Sequence, residues 1–158
     1  MKYTIRELES AEYPLLEIFL YEALFQRKGQ TQLPRSIINE PELQVYLKNF
    51  GERPDDFSLC AEVDQKVIGI VWVRNIAGYG SVDAATPECA ISLLKEYRGY
   101  GIGTELLQKM LQLLKEKGYK QVSLAVQKDN YALNMYQKVG FQIIDENDEE
   151  YLMIYLLK

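Results

Sequence analysis

The fold of this chain is decided by residues 93–107, which read Leu93-Leu94-Lys95-Glu96-Tyr97-Arg98-Gly99-Tyr100-Gly101-Ile102-Gly103-Thr104-Glu105-Leu106-Leu107. Three glycines stand here between an apolar strand-like run and a run with helical periodicity. Side chains are therefore missing where the start of a helix exposes unpaired backbone amides. Aligned amides and the helix dipole favour a phosphate or pyrophosphate at such a turn. The alternative is a strand-to-helix turn whose glycines serve packing alone.

The residues on either side of this turn predict a central strand and a long helix. Residues 89–94 are nearly continuously apolar, which is typical of a strand covered on both faces. After the turn, apolar residues recur every three or four positions from Ile102 to Leu114, and Gly118 supplies a stop. The turn therefore joins the middle of a sheet to an amphipathic helix.

Further strands and helices are predicted around this unit. β-rich runs predict six more strands, at residues 3–7, 57–63, 66–73, 121–126, 141–144 and 151–157. Helical patterns cover residues 12–25, 41–50 and 130–138. A polar loop without periodicity lies within Arg27 to Asn39, and the sequence assigns it no role. We expect one globular domain over residues 1–158.

Composition narrows the class of function. The formal net charge is -5, which argues against a surface for nucleic-acid phosphates or anionic lipid and favours neutral or cationic partners. Residues 1–6 lack the apolar core of a signal peptide, and no stretch is long and uncharged enough to span a membrane. We therefore expect a cytoplasmic protein with no nucleic-acid or membrane partner.

The counts of histidine and cysteine restrict the chemistry further. Histidine is absent, which removes Ser-His-Asp and Cys-His catalysis and the common zinc sites. The two cysteines, Cys60 and Cys89, lie in apolar strand-like runs, which predicts buried reduced thiols. We expect no metal, and proton chemistry is left to Glu, Asp, Tyr, Lys or water.

The spacing of the glycines separates several phosphate-binding motifs. Residues 99–103 read Gly-x-Gly-x-Gly, whereas a P-loop needs Gly, four residues and Gly-Lys-Ser/Thr. A dinucleotide fingerprint needs Gly-x-Gly-x-x-Gly. ATP hydrolysis and nicotinamide chemistry are therefore disfavoured.

Two blocks of the sequence resemble the GNAT acetyltransferases. The Arg/Gln-x-x-Gly-x-Gly/Ala signature of that family matches Arg98, Gly101 and Gly103, and a second family block is similar to residues 130–141. The resemblance implies an α/β (α+β) fold with a mixed, mainly antiparallel sheet of six or seven strands and about four helices. It implies that the sheet is splayed between the central strand and its parallel neighbour at residues 121–126.

The resemblance also implies acetyl-CoA as the co-substrate. In the family, the strand before the turn pairs its backbone with the pantetheine arm, and this role would fall to Ile91, Ser92 and Leu93. The pyrophosphate would be held by Arg98, Gly99, Tyr100, Gly101, Ile102, Gly103 and Thr104. Asn130 would contact the coenzyme arm, and it also suits the N-cap of the helix at 130–138; the two roles are compatible.

The family's catalytic roles fall on two residues. Tyr136 occupies the position of the proton donor to the departing thiolate. Its other interpretation is a core tyrosine, in a chain with twelve tyrosines. Glu88, at the start of the central strand, would act as the base for the acceptor amine, and its other interpretation is a solvated residue at a strand end.

The predicted function is transfer of an acetyl group from acetyl-CoA to a primary amine of a small molecule or peptide by direct attack. Ribosomal-protein acetyltransferases of the family often carry a glutamate at the position of Ala125, which disfavours that substrate here. One alternative is a catalytically silent acyl-CoA-binding or interaction module on the same fold. Another is a polyamine-type enzyme that attracts its acceptor with Asp145, Glu146, Asp148, Glu149 and Glu150, a run otherwise typical of a solvated turn. The oligomeric state is left open, with a homodimer as one alternative.

Overall fold

The fold is built on one seven-stranded sheet, seen in a computed structural model that describes residues 1–24 and 33–157. The strands are β1 Thr4–Glu7, β2 Phe57–Val63, β3 Lys66–Arg74, β4 Glu88–Leu93, β5 Gln121–Gln127, β6 Gln142–Glu146 and β7 Glu150–Leu156. Their order across the sheet is β1-β2-β3-β4-β5-β7-β6, with β4 in the middle. All neighbours are antiparallel except β4 and β5. The predicted mixed, mainly antiparallel sheet is confirmed.

The sheet opens between β4 and β5. In the described part of the chain, the parallel ladder contains one pair, Glu88 with Ser123, next to a hydrogen bond of 3.0 Å from the Ser123 amide to the Pro87 carbonyl. Beyond that pair the two strands diverge, so the later part of β4 has no strand partner on this side. The predicted splay is confirmed.

Helices cover both faces of the sheet. They are α1 Leu15–Ala23, α2 Pro41–Gln44, α3 Ile102–Glu116 and α4 Ala132–Val139. The buried side of α3, including Leu106 and Met110, packs in one core with β3 to β5. Phe19 of α1 and Trp72 of β3 belong to a second core on the opposite face. The predicted polar loop and the end of the first predicted helix fall partly on residues 25–32, which lie outside the described residues.

The helix predicted from Pro41 to about Phe50 is wrong in length, because α2 ends at Gln44. The carbonyls of Val45 and Lys48 accept hydrogen bonds from Arg74 Nη1, at 3.2 and 2.8 Å, and the carbonyl of Tyr46 accepts one of 3.1 Å from Trp72 Nε1. Side chains of β3 therefore bind carbonyls that a continuing helix would have used for its own backbone. The sequence pattern cannot reveal this competition, since β3 is about 30 residues away.

Cys60 and Cys89 are buried free thiols, as predicted. Burial raises the pKa of Cys60 to about 11 and that of Cys89 to about 12. Both groups are therefore protonated at neutral pH. Of the helices in the described ranges, none has the length and apolar character required to cross a membrane.

Candidate active site

One cavity, of about 290 Å³, lies at the open edge of β4. The end of α1, the last residues of β4, the glycine turn and the start of α4 form its walls. The predicted site residues that line it are Ile91, Ser92, Leu93, Arg98, Gly99, Gly101, Gly103, Thr104, Asn130 and Tyr136. Two of the predicted coenzyme-binding residues have side chains elsewhere, since Tyr100 points into solvent and Ile102 is buried in the core. We call this space the coenzyme cavity, because it is lined by the residues expected to bind the coenzyme.

The glycines of the turn leave room on the cavity side. Gly99 and Gly101 have φ values of 86° and 85°, a left-handed conformation that favours glycine, and a Cβ atom at either position would meet nothing within 4 Å. At Gly103, by contrast, a Cβ atom would lie 3.3 Å from Leu93 and Met135 side-chain atoms. The first two glycines therefore open the turn, and the third permits close packing.

Backbone amides at the start of α3 are available to a ligand. The helix begins at Ile102, and its first turn closes with a 3.2 Å bond from the Glu105 amide to the Gly101 carbonyl. The preceding amides therefore have no acceptor within the helix. Arg98 braces the turn, because its Nε donates to the Leu93 carbonyl at 3.0 Å and its Nη2 lies 3.6 Å from Glu22 Oε2.

Asn130 lies at the start of α4. Its Oδ1 accepts a hydrogen bond of 2.9 Å from the Ala132 amide, and its carbonyl accepts one of 3.1 Å from the Leu133 amide. This is an Asx turn one residue before the N-cap of α4, which is Tyr131, so the predicted N-cap position is wrong by one residue. It also lines the coenzyme cavity.

A second cavity, of about 550 Å³, lies on the other side of Tyr136. Its walls come from α1, residues 33–46, Tyr79, β4, β5 and residues 149–150. The residues that line both cavities are Ala23, Ile91, Asn130 and Tyr136. We call this second space the acceptor cavity, because it contains Glu88, the residue expected to act on the acceptor amine.

Tyr136 is largely buried where the two cavities meet. Its ring makes an edge contact with Phe141, with ring centroids 5.9 Å apart. Burial raises the pKa of the phenol, so it is neutral and carries its proton at physiological pH. Within residues 1–24 and 33–157 the hydroxyl has no hydrogen-bond partner, which leaves it free to donate to a bound group.

Glu88 lies in the wall of the acceptor cavity and is only 3% exposed. The interpretation of a solvated strand end is therefore wrong. Oε2 accepts hydrogen bonds from the Tyr46 hydroxyl at 2.7 Å and the Gly80 amide at 3.1 Å, and Oε1 accepts one of 2.9 Å from the Gly78 amide. Burial raises the pKa of the carboxyl, and these donors oppose that effect.

Further carboxylates surround the acceptor cavity. From the acidic run at 145–150, Glu149 and Glu150 line it, whereas Asp145 and Glu146 lie on the edge strand β6. Four further carboxylate and tyrosine side chains in the lining were not predicted as site residues: Glu40, Glu42, Tyr46 and Tyr79. Residues 41–50 indicated only a helix, and no local motif in the sequence marks these side chains as parts of one site.

The chain is similar to proteins of one known family. Residues 5–141 match the model of the Acetyltransferase (GNAT) family. The chain is 29% identical to N-alpha-acetyltransferase 30 of Schizosaccharomyces pombe, over 72% of this chain and 76% of that protein. It is 39% identical to the [ribosomal protein bS18]-alanine N-acetyltransferase of Haemophilus influenzae, over 61% of each.

A solved structure supports the same fold. The PaiA N-acetyltransferase of Thermoplasma acidophilum, determined in complex with coenzyme A, superposes with a TM-score of 0.74, covering 99% of each chain at 21% identity. At that identity the likeness concerns the fold. With the family match over residues 5–141, fold and site define an acyltransferase. The chain belongs to the GNAT family of acetyltransferases.

Proposed function

We propose that this protein transfers an acetyl group from acetyl-CoA to a primary amine of a small molecule or peptide. The observation that carries the proposal is the meeting of two cavities at Tyr136. One contains a glycine turn with unpaired amides, which suits a pyrophosphate. The other contains carboxylates, which suit an amine. A phenol that borders both lies where a thioester and an amine would react.

The coenzyme would lie along the open edge of β4. The amides around Gly101 would hold the pyrophosphate, with Arg98 fixing the turn. Backbone groups of Ile91 to Leu93 would pair with the pantetheine arm as an added strand would. An amide of β4 would polarise the thioester carbonyl.

In the chemical step, the neutral amine attacks the thioester carbonyl carbon, the C–N bond forms and the C–S bond breaks. Alkyl ammonium groups have a pKa of about 10, so the acceptor must first lose a proton. Glu88 would accept that proton, directly or through one water. Tyr136 would give its proton to the departing thiolate, while solvent takes the second proton from the nitrogen as the amide forms and returns one to Tyr136.

The acceptor class follows from the acceptor cavity and from the relatives. One relative is named an N-alpha-acetyltransferase and another a ribosomal-protein-alanine N-acetyltransferase, which supports a peptide α-amine as the acceptor. Ala125 of β5 lines the cavity and has no carboxylate. The carboxylates of the cavity are those of Glu88 and of the residues at its rim, Glu40, Glu42, Glu149 and Glu150. A small primary amine fits the same chemistry.

The test is Tyr136→Phe with Tyr155→Phe as its matched control. Both rings pack against Phe141, but Tyr155 lines neither cavity. With an amine panel and acetyl-CoA, we expect Tyr136→Phe to lower the saturating rate about 10-fold or more, with water supplying part of the lost proton transfer. Its melting temperature and acetyl-CoA affinity should resemble those of Tyr155→Phe.

A rate of Tyr136→Phe equal to that of the control would remove this residue from the mechanism. Wild-type protein that binds acetyl-CoA but acetylates no amine of the panel would point instead to the silent binding module. Calorimetry of acetyl-CoA binding and assay of CoA release on the same preparation separate these outcomes.

A further inference from the structure

Tyr46 lies at the centre of a hydrogen-bond network behind the acceptor cavity. Its side chain is 8% exposed, and its hydroxyl donates to Glu88 Oε2 at 2.7 Å. The same hydroxyl accepts a hydrogen bond of 2.9 Å from the Tyr79 amide. One oxygen atom therefore links residues 41–50, the loop at 78–80 and the strand β4.

The two carboxylate oxygens of Glu88 accept different numbers of hydrogen bonds. Oε2 accepts two hydrogen bonds, from Tyr46 and Gly80, and Oε1 accepts one, from Gly78. Each carboxylate oxygen has two acceptor positions. Among the described residues, the remaining position therefore lies on Oε1.

The backbone of Tyr46 is fixed from β3. Its carbonyl accepts from Trp72 Nε1, and the carbonyls of Val45 and Lys48 accept from Arg74. Arg74 forms a buried ion pair of 2.9 Å with Asp56, with side-chain exposures of 2% and 0%. Breaking a buried pair is costly, so this segment has little freedom to withdraw the hydroxyl.

We propose that Tyr46 is a positioning residue that holds Oε2 of Glu88 and leaves Oε1 as the atom that takes the proton of the acceptor ammonium. The inference rests on the proposed function. In the step, the N–H bond of the ammonium breaks, an O–H bond forms at Oε1, and the carboxylic acid later returns the proton to solvent. The hydroxyl of Tyr46 keeps its own proton throughout, consistent with the raised pKa that burial gives it.

The groups around Glu88 set the direction of the expected pH effect. On the neighbouring strand, Arg74 pairs with Glu88 in register, but its guanidinium binds Asp56. Among residues 1–24 and 33–157, the other titratable groups that line the acceptor cavity are Tyr46, Tyr79, Cys89, Tyr136, Glu40, Glu42, Glu149 and Glu150. The Tyr46 hydroxyl is a direct donor to the carboxylate, and donation favours the ionised form. Removal of this hydroxyl should therefore raise the pKa of the Glu88 carboxyl.

The experiment compares Tyr46→Phe with Tyr13→Phe, a control that removes a hydroxyl from a ring packed on Phe50 in the same core. For Tyr46→Phe we expect the acid limb of kcat/KM against pH to move up by about one pH unit, since a donor to a charged group is lost. Acetyl-CoA affinity should change less than about twofold, because Tyr46 does not line the coenzyme cavity. The control should move neither quantity.

A direct titration separates failure of this inference from failure of the proposed function. The carboxyl carbon of Glu88, labelled with carbon-13 and assigned with Glu88→Gln, is titrated by NMR in wild type and in Tyr46→Phe. An upward shift supports the inference even if no amine is acetylated, in which case the proposed function alone fails. An unchanged Glu88 titration overturns the inference.

Two additional variants keep the inference testable. In a Glu88→Gln background, Tyr46→Phe should change the rate less than about twofold, because residues that act as one unit are not additive. A full multiplicative loss would mean that Tyr46 acts independently of Glu88, which contradicts the inference. If Tyr46→Phe does not fold, 3-fluorotyrosine at position 46 keeps ring and hydroxyl but donates more strongly, so the acid limb should move down; an unmoved limb contradicts the inference.

Discussion

The coenzyme cavity and the acceptor cavity are built in opposite ways. The first is formed largely by one continuous stretch, Ile91 to Thr104, and by backbone that glycine leaves uncovered. The second is formed by side chains from α1, residues 33–46, Tyr79, β4, β5 and residues 149–150. A binding site made from local backbone leaves a motif in the sequence, whereas one made from distant side chains does not.

The two cavities also differ in charge. The coenzyme cavity presents amides and the guanidinium of Arg98, which is paired with Glu22. The acceptor cavity presents Glu88, Glu149 and Glu150 together with Glu40 and Glu42. These groups suit a phosphorylated donor in the coenzyme cavity and a cationic acceptor in the acceptor cavity. The predictions below change one side at a time.

The largest effect is expected from Gly101→Asp, which places a side chain and a negative charge on the open side of the turn. Acetyl-CoA at about 100 times its dissociation constant should stabilise the wild type by roughly 2.7 kcal/mol, and this shift should vanish in the variant. Thermal unfolding with and without acetyl-CoA measures it.

Gly118→Asp is the matched control for that variant. Gly118 also has positive φ, at 92°, and open space around its Cβ position, but it follows α3 at the end away from the turn. Both variants therefore place an aspartate at a positive φ. A retained acetyl-CoA shift in a folded Gly101→Asp protein would refute the pyrophosphate site.

The next effect concerns the acceptor side, where Glu88→Gln keeps the shape of the side chain but removes the base. We expect the rate to fall about 100-fold, within the usual range for one acid or base, with acetyl-CoA affinity unchanged. The wild-type rate should decline as the pH falls and Glu88 becomes protonated. Because burial raises the pKa of Glu88, this decline should begin at a higher pH than the usual glutamate pKa of about 4.3 would give. That acid limb should be absent from Glu88→Gln, and a limb that persists there would assign the base to another group.

The same contrast explains what the sequence could predict. The central strand, the glycine turn and α3 follow from periodicity and from glycines at fixed spacing, and the structure places them as expected. The end of α2 could not be predicted, because Trp72 and Arg74 bind the carbonyls that follow it. The role of Tyr46 could not be predicted either, because it also depends on a contact with a residue distant in sequence. Its partner Glu88 is 42 residues away, and only the packing of β4 against residues 41–50 joins them.

The smallest effect is expected at the rim of the acceptor cavity, from Glu150→Gln. Glu150 lines the cavity, and a unit charge at about 4 Å in a partly exposed site contributes a few kcal/mol at most before solvent screening reduces it. We expect KM for a dicationic amine to rise about 3- to 10-fold with kcat unchanged, since the charge acts on binding rather than on the chemical step.

Asp145→Asn is the control for the rim, because Asp145 belongs to the same acidic run but lies on β6 outside the cavity. Its Oδ1 accepts from the Glu146 amide at 2.8 Å, a bond that asparagine can keep. If net charge alone attracts the acceptor, both variants should raise KM equally, and the difference from wild type should disappear at high salt. If the cavity itself selects a cation, Glu150→Gln should raise KM for the dicationic amine more than for a matched monocationic one, while Asp145→Asn leaves both unchanged. If Glu150→Gln raises KM by the same factor for both amines, the carboxylate contributes only long-range attraction.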